Sequence, residues 1–426
     1  MKTIVKLILV LLVLVSISSC TDKIEETYTV NEPIYMSYDE LRSATDIVPP
    51  VPIVQPGKIY FKDDVIFVNE YQKGIHVVNN ADPSKPEVIK FIEIPGNVDL
   101  AIKGNMLYVD SYVDLVTFDI SDIENIKEVD RDTSVFPYIV PIVLDGYLGQ
   151  VNRNEGVIVG YNQVKKTDEV DIENNYFPQF RGWGMADAMM INTAAPTGNT
   201  GGKSNTGTGG SMARFTLYDD YLYVVNEYDL KLFNISSTTN PQFENSVSIG
   251  WGIETIFPYE DKLFIGSRTG MFIYSITNPK SPQRISQFRH VTACDPVVVE
   301  GDYAYVTLRA GNLCGAGESQ LDVIDISDIY EPKLLKQYLM EEPYGLGIDN
   351  DVLFVCDGDA GLKIYDATDK TKIDSNMIIK YPEVNAFDVI PLGEVLVMIG
   401  VDGLYQYDYK NIKDIYQLSH IPIYDK

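Results

Sequence analysis

One short segment recurs eight times along this chain. "LDVIDISDIYEPK" begins at Leu321. Its counterparts are "IHVVNNADPSKPE" at Ile75, "LVTFDISDIENIK" at Leu115, "VIVGYNQVKKTDE" at Val157 and "LKLFNISSTTNPQ" at Leu230. "MFIYSITNPKSPQ" follows at Met271, "LKIYDATDKTKID" at Leu362 and "LYQYDYKNIKDIY" at Leu404. The starts are spaced by 40, 42, 73, 41, 50, 41 and 42 residues. A period of this length marks a supersecondary unit that stacks against copies of itself to bury its apolar faces.

About a dozen residues before each copy lies a turn pair: Asp63-Asp64, Gly104-Asn105, Asp145-Gly146, Asp219-Asp220, Glu260-Asp261, Gly301-Asp302, Asn350-Asp351 and Gly393-Glu394. Each sits between apolar runs, as in "YFKDDVIFV", and Gly, Asn and Asp tolerate the positive φ of a two-residue hairpin. Each unit therefore reads as strand a, tight turn, strand b, loop, strand c, corner, strand d. The expected fold is all-β: a single β-propeller of four-stranded blades of about 40 residues. Eight blades are expected. Seven is the alternative, because the unit at Val157 has Tyr161 at its corner and no proline after it.

The period also assigns the aspartates. Asp325 aligns with Asn79, Asp119, Asn234, Ser275, Asp366 and Asp408. Short polar side chains at a strand end bond the backbone of the next turn. Pro86, Pro241, Pro282 and Pro332, seven residues further on, stop the ladder. A catalytic residue is needed once; a residue repeated around the units is structural. Asp322 aligns with His76, Val116, Lys231, Phe272, Lys363 and Tyr405 and reads as a variable strand side chain.

The first nineteen residues read as an address. Lys2 and Lys6 precede an aliphatic run from Ile8 to Val15, then "SISSC". This is the form of a secretory signal, shorter than a membrane span. Ile17-Ser18-Ser19-Cys20 resembles a bacterial lipobox, which implies cleavage before Cys20 and its lipidation. Multiple acyl chains anchor stably. The acidic "TDKIEE" that follows resembles a surface-export signal, so both periplasmic and cell-surface exposure stay open. Residues 20–55 read as a lipidated tether and linker, and 56–426 as the propeller. An insertion at about 171–210 fills the 73-residue interval. Its "GNTGGKSNTGTGG" lacks the glycine four places before Gly-Lys-Ser that a phosphate loop needs, and reads as a flexible loop.

The chain carries 34 basic and 61 acidic residues, a formal charge of −27. Such a surface repels phosphate backbones, so nucleic acid is not an expected partner. An oxidising compartment permits disulfides. Of the three mature cysteines beyond Cys20, Cys294 and Cys314 are the expected pair, leaving Cys356.

In a four-stranded blade the d–a and b–c connections share one face, and the insertion at about 171–210 maps to it, as does a shorter one, "RAGNLCGAGESQ", in the 50-residue interval. Functional residues gather on irregular loops held by a rigid scaffold. Counting back from each tight turn places Lys58, Asp99, Arg214, Glu254, Asp295 and Asp388 where the innermost strands begin, around the central funnel. Such a ring suits a polar ligand or a cation, or a self-satisfied set of ion pairs. Trp183, Trp251 and Tyr344 on the same face suit stacking on sugar rings. Asp357 and Asp359 in "CDGDAG" have the D-x-D-x-G spacing that converges oxygens on calcium, although Thr368 stands where a twelve-residue loop needs its final acid. No other cofactor is expected. The three histidines, His76, His290 and His420, are far apart in sequence. No metalloprotease, nucleophile-elbow or zinc pattern occurs.

"LDVIDIS" looks like the LVIVD repeat, and "YAYVTLRAG" is close to YVTN-type propeller repeats. "PIYMSYDELRS", "PGNVDLAIKGNMLYVDSYVDLV", "GWGIETIFPY", "TACDPVVV" and "GLYQYDY" together resemble a family of LVIVD-repeat lipoproteins of Bacteroidota. The resemblance implies an envelope propeller and no catalytic mechanism. The expectation is an outer-membrane lipoprotein, attached to the membrane through its lipid alone. Its propeller is a non-catalytic scaffold for an envelope protein or glycan. The alternative is an enzyme that acts on polysaccharide with Asp99, Glu254, Asp295 and Asp388.

Overall fold

The tight turns form where the chain enters positive φ. Asp63, Gly104, Asp219, Glu260, Gly301, Asn350 and Gly393 adopt φ between 49° and 83°. The computed structural model of the chain describes residues 23–171, 206–290, 296–310 and 317–423.

In the first blade Pro56–Lys62, Val65–Glu70, Gly74–Asn79 and Glu87–Glu93 pair antiparallel in chain order. Among the described residues, seven sheets contain this four-strand order. They cover 56–93, 100–132, 215–248, 253–289, 297–339, 346–381 and 386–422. Their innermost strands neighbour one another from first to seventh and back to first. The all-β propeller fold is therefore present.

Every blade in the ring turns its corner as expected. Asn79, Asp119, Asn234, Asp325, Asp366 and Asp408 each accept a bond from the backbone N–H two residues on, at 2.8–3.1 Å. Ser275 does the same at 3.3 Å.

Eight repeats give eight sheets, but the eighth is built differently. Val157–Asp171 runs fifteen residues without a corner. It pairs antiparallel with Lys23–Met36, which pairs parallel with Tyr147–Leu148. Tyr161 supplies no turn-capping oxygen acceptor and no proline interrupts the ladder, so the strand continues. This three-stranded sheet belongs to a separate compact unit, described over 23–38 and 139–171. The propeller ring thus has seven blades, the alternative count. Four-stranded geometry fails in the one degenerate unit.

Blades pack face to face through buried aliphatic and aromatic residues. Between seventh and first these are Ile390, Val397 and Ile399 against Ile59, Ile66 and Val68. Each blade also reaches a corner carbonyl of the next. Tyr108 donates to Thr238 O at 2.8 Å, Tyr223 to Pro279 O at 2.8 Å and Ser286 to Ile329 O at 2.7 Å. Tyr338 donates to Lys370 O at 2.7 Å, and Tyr381 to Ile415 O at 2.8 Å. Lys90 reaches Glu124 O at 3.3 Å. The ring closes where Ser419 donates to Pro83 O at 2.7 Å, while Gln406 and Asn80 exchange amide bonds at 2.7 and 3.0 Å.

Of the region read as tether and linker, residues 39–55 belong to the same compact unit as the ring. Asp46–Val48 adds a fifth strand to the outer edge of the first blade. Arg42 donates to buried Asp114 at 3.0 Å. The N–H groups of Val54 and Gln55 donate to Glu70 at 3.0 and 2.9 Å. Among the described residues no helix is long and apolar enough to cross a membrane.

Candidate functional site

The innermost strands all start at one end of the funnel, so their first side chains meet there. Lys58 donates to Asp99 Oδ2 at 2.6 Å, with each side chain 2% exposed. Burial pulls the Lys58 ammonium below its ordinary range, against the opposing pull of Asp99. Asp99 Oδ2 also accepts the N–H of Arg214 at 2.5 Å and of Phe215 at 3.1 Å. Its Oδ1 accepts Leu100 N–H at 2.7 Å. Behind it, Asp110 Oδ1 accepts the N–H groups of Val98 and Asp99, both at 2.8 Å. Burial pushes the Asp110 carboxyl up to about 6.

Glu254, 8% exposed, accepts a bond from Arg268 Nε at 2.8 Å. Burial pushes this carboxyl up, and the nearby charges of Arg268, Arg214 and Arg309 oppose the shift. The Arg268 guanidinium lies 5.7 Å from the Trp251 ring, and that of Arg309 lies 4.0 Å from Tyr344. Trp251 is 40% exposed. Tyr344 donates to Glu342 at 2.9 Å and packs edge-on against Phe387.

Arg268 and Arg309 are absent from the ring expected from strand starts. Both open a b–c loop, in "FIGSRTG" and "YVTLRAG". Aligned on strand b, they occupy the same place as Tyr71, Tyr112, Glu227, Gly358 and Val401. The repeat register held this second ring of mouth positions; counting only strand a overlooked it.

The axis is filled by the end of the glycine-rich insertion. Thr208 and Gly209 pair antiparallel with Phe61 and Tyr60 on the first innermost strand. Gly207 N–H donates to Ile102 O at 2.8 Å, and Ala213 O accepts Ile256 N–H at 2.8 Å. Residues 209–213 are buried. A Cβ at Gly207 would overlap the Tyr60 ring, and one at Gly210 would overlap the Asp388 carboxyl. At these two positions glycine permits the close approach. The expectation of a flexible loop is corrected over 206–210, where backbone pairing and close packing hold the segment. This end of the insertion also enters beside the a–b turns, where Thr206 bridges Lys103, so the insertion is not confined to the d–a/b–c face.

Asp388 is fully buried beneath this segment. Its Oδ1 accepts the Ser211 N–H and hydroxyl at 3.2 and 3.3 Å. Burial pushes its carboxyl up to about 7.

The D-x-D-x-G carboxylates serve other partners. Asp357 accepts Glu342 N–H at 2.7 Å and Glu341 N–H at 3.1 Å, and pairs with the Lys363 ammonium. Asp359 accepts a bond from the Asn385 amide. Lys363 pairs with Asp357 and not with Asp359, and no group of three metal-ligating side chains occurs among the described residues. Cys356 is a buried free thiol. Cys20, Trp183, Cys294, Asp295 and Cys314 lie outside the described residues.

A profile of the LVIVD repeat family matches residues 96–131 and 292–340, each about one blade. No curated protein matches the chain. The computationally designed Ika8 protein is similar in structure: TM-score 0.48, 9% identity, covering 88% of this chain and 92% of that one. BamB from Moraxella catarrhalis gives a TM-score of 0.47 at 8% identity, covering 85% and 95%. PorZ, a surface component of the type-IX secretion system of Porphyromonas gingivalis, gives 0.47 at 10% identity, covering 89% of this chain and 40% of PorZ.

Proposed function

We propose that this chain is a cell-envelope lipoprotein whose propeller is a non-catalytic scaffold for a protein or glycan partner. Lipidation at Cys20 attaches it to the outer membrane, facing the periplasm or the cell surface. The partner meets the funnel mouth, where Trp251 and Tyr344 lie against Arg268 and Arg309. Aromatic faces beside guanidinium groups suit sugar rings and interface side chains alike.

The observation that carries this reading is the filled axis. A polysaccharide-cleaving site needs two carboxyls about 5–9 Å apart across an accessible cleft. Asp99 instead accepts one lysine and three backbone N–H groups. Asp388 is buried under Ser211, and Glu254 is bonded to Arg268. Their engagement favours binding over hydrolysis.

Affinity purification of the intact protein from its native membrane in mild detergent tests the scaffold. The expected result is one partner retained by the unaltered protein and lost from a Trp251→Ala, Arg309→Ala variant. Hydrolysis of an envelope glycan by the purified protein, abolished in Asp295→Asn, would overturn the reading. Lipidation is read separately: Cys20→Ala should move the protein to the soluble fraction, and continued membrane retention would refute the anchor.

A further inference from the structure

We propose that Asp388 makes the axial segment 206–213 a pH-dependent closure of the funnel, seated while Asp388 holds a proton and released as it ionises. The geometry is asymmetric. Oδ1 takes both Ser211 donors, while Oδ2 is buried with no hydrogen-bond partner. Around the carboxyl, Gly210 and Gly345 approach so closely that a Cβ on either would overlap it. Ser211 in turn accepts Leu346 N–H at 2.8 Å, which ties the segment to the sixth blade. A buried carboxylate with an unsatisfied oxygen costs more than the neutral acid, because only the ionised form adds an unpaired charge to the unmet hydrogen bond.

The surrounding groups do not remove this cost. Lys58, from the innermost strand of the first blade, favours the ionised form, but its ammonium is bonded to Asp99. Cys356, from the second strand of the sixth blade, is held as a neutral thiol. Burial pushes it up, as do the charges of Asp388 and Asp357. Asp357 is itself paired with Lys363. The Val389 N–H, from the strand of Asp388 itself, and the two Ser211 donors from the segment also favour the ionised form, and burial outweighs them.

The sign follows from linkage. Seated, the acid keeps its proton up to about pH 7. Withdrawn into water, it returns to an ordinary value near ~4. Seating is therefore complete below about pH 4. It weakens by up to about tenfold per pH unit as pH rises toward about 7, and then levels off. Withdrawal frees the edge of Pro56–Lys62 at Tyr60 and Phe61 and the carbonyl of Ile102.

Hydrogen exchange of the full-length protein in detergent, corrected for intrinsic rates, tests this between pH 5 and 9. Protection of the peptide covering 206–213 should fall roughly fiftyfold from pH 5 to 7 and level off at roughly a hundredfold by pH 9, while peptides from blade centres stay constant. Asp388→Asn should keep protection constant with pH. Gly210→Ala should lose it at every pH with the blades intact, and this decides the matter should Asp388→Asn fail to fold. Protection in the unaltered protein that does not change with pH would overturn the proposal. So would a Gly210→Ala variant whose segment still titrates as before. The readout is the segment itself, so the result is independent of whether the mouth binds a partner.

Discussion

Lys58 and Glu70 are charged, buried and held for different reasons. Lys58 neutralises Asp99 in an enclosed pair, and removing one partner of such a pair leaves an uncompensated charge. Lys58→Met should cost about 3 kcal/mol in urea unfolding, the low end of that class because three N–H groups still reach Asp99. Glu70 shows the opposite balance of forces. Burial acts to raise its carboxyl, yet His76 at 3.1 Å and the N–H groups of Val54 and Gln55 outweigh it and bring it to about 2. Its stabilisation is complete above the ordinary glutamate value of ~4.3 and is lost as pH falls through about 2. Glu70→Gln should flatten the pH dependence of unfolding between pH 2 and 5, measured by chemical denaturation. Asp325 was legible in the sequence because seven blades repeat its task. Glu70 was not: Val54 and Gln55 come from the linker, where nothing repeats, and His76 stands at a position that varies from blade to blade.

At the scale of elements, the corner motif decides whether a strand stops. Strand c is six residues long at Gly74–Asn79 and at Gln320–Asp325, each ending on its turn-capping residue. Without that residue, Val157–Asp171 runs fifteen. The missing corner was visible in the sequence. The partner that took up the longer strand was not, since Lys23–Met36 lies more than a hundred residues away and was read as tether. Corners also receive the bonds between neighbouring blades. Tyr108→Phe removes one such bond while preserving the ring's packing, and should lower stability by about 1 kcal/mol by thermal or urea unfolding. A loss of 3 kcal/mol or more would mean that the hydroxyl does more than latch.

For the molecule as a whole, closure distinguishes this ring. The first and seventh blades are each complete, over 56–93 and 386–422, so no strand is shared across the junction. Apolar packing and the Asn80–Gln406 amide pair join them. A double-mutant cycle on Asn80→Ala and Gln406→Ala should show coupling of about 1–2 kcal/mol, and additivity within ~0.3 kcal/mol would remove the latch from this account. The sequence by itself determined the all-β blades, their turns and their corners, because these depend on residues within one forty-residue unit. Only the tertiary structure decided that seven units close while the eighth pairs elsewhere, that a glycine-rich segment fills the axis over Asp388, and that Arg268 and Arg309 reach the mouth. Each of these results depends on residues far apart in the chain meeting at a common axis, where strand count, close approach and buried charge must be satisfied together.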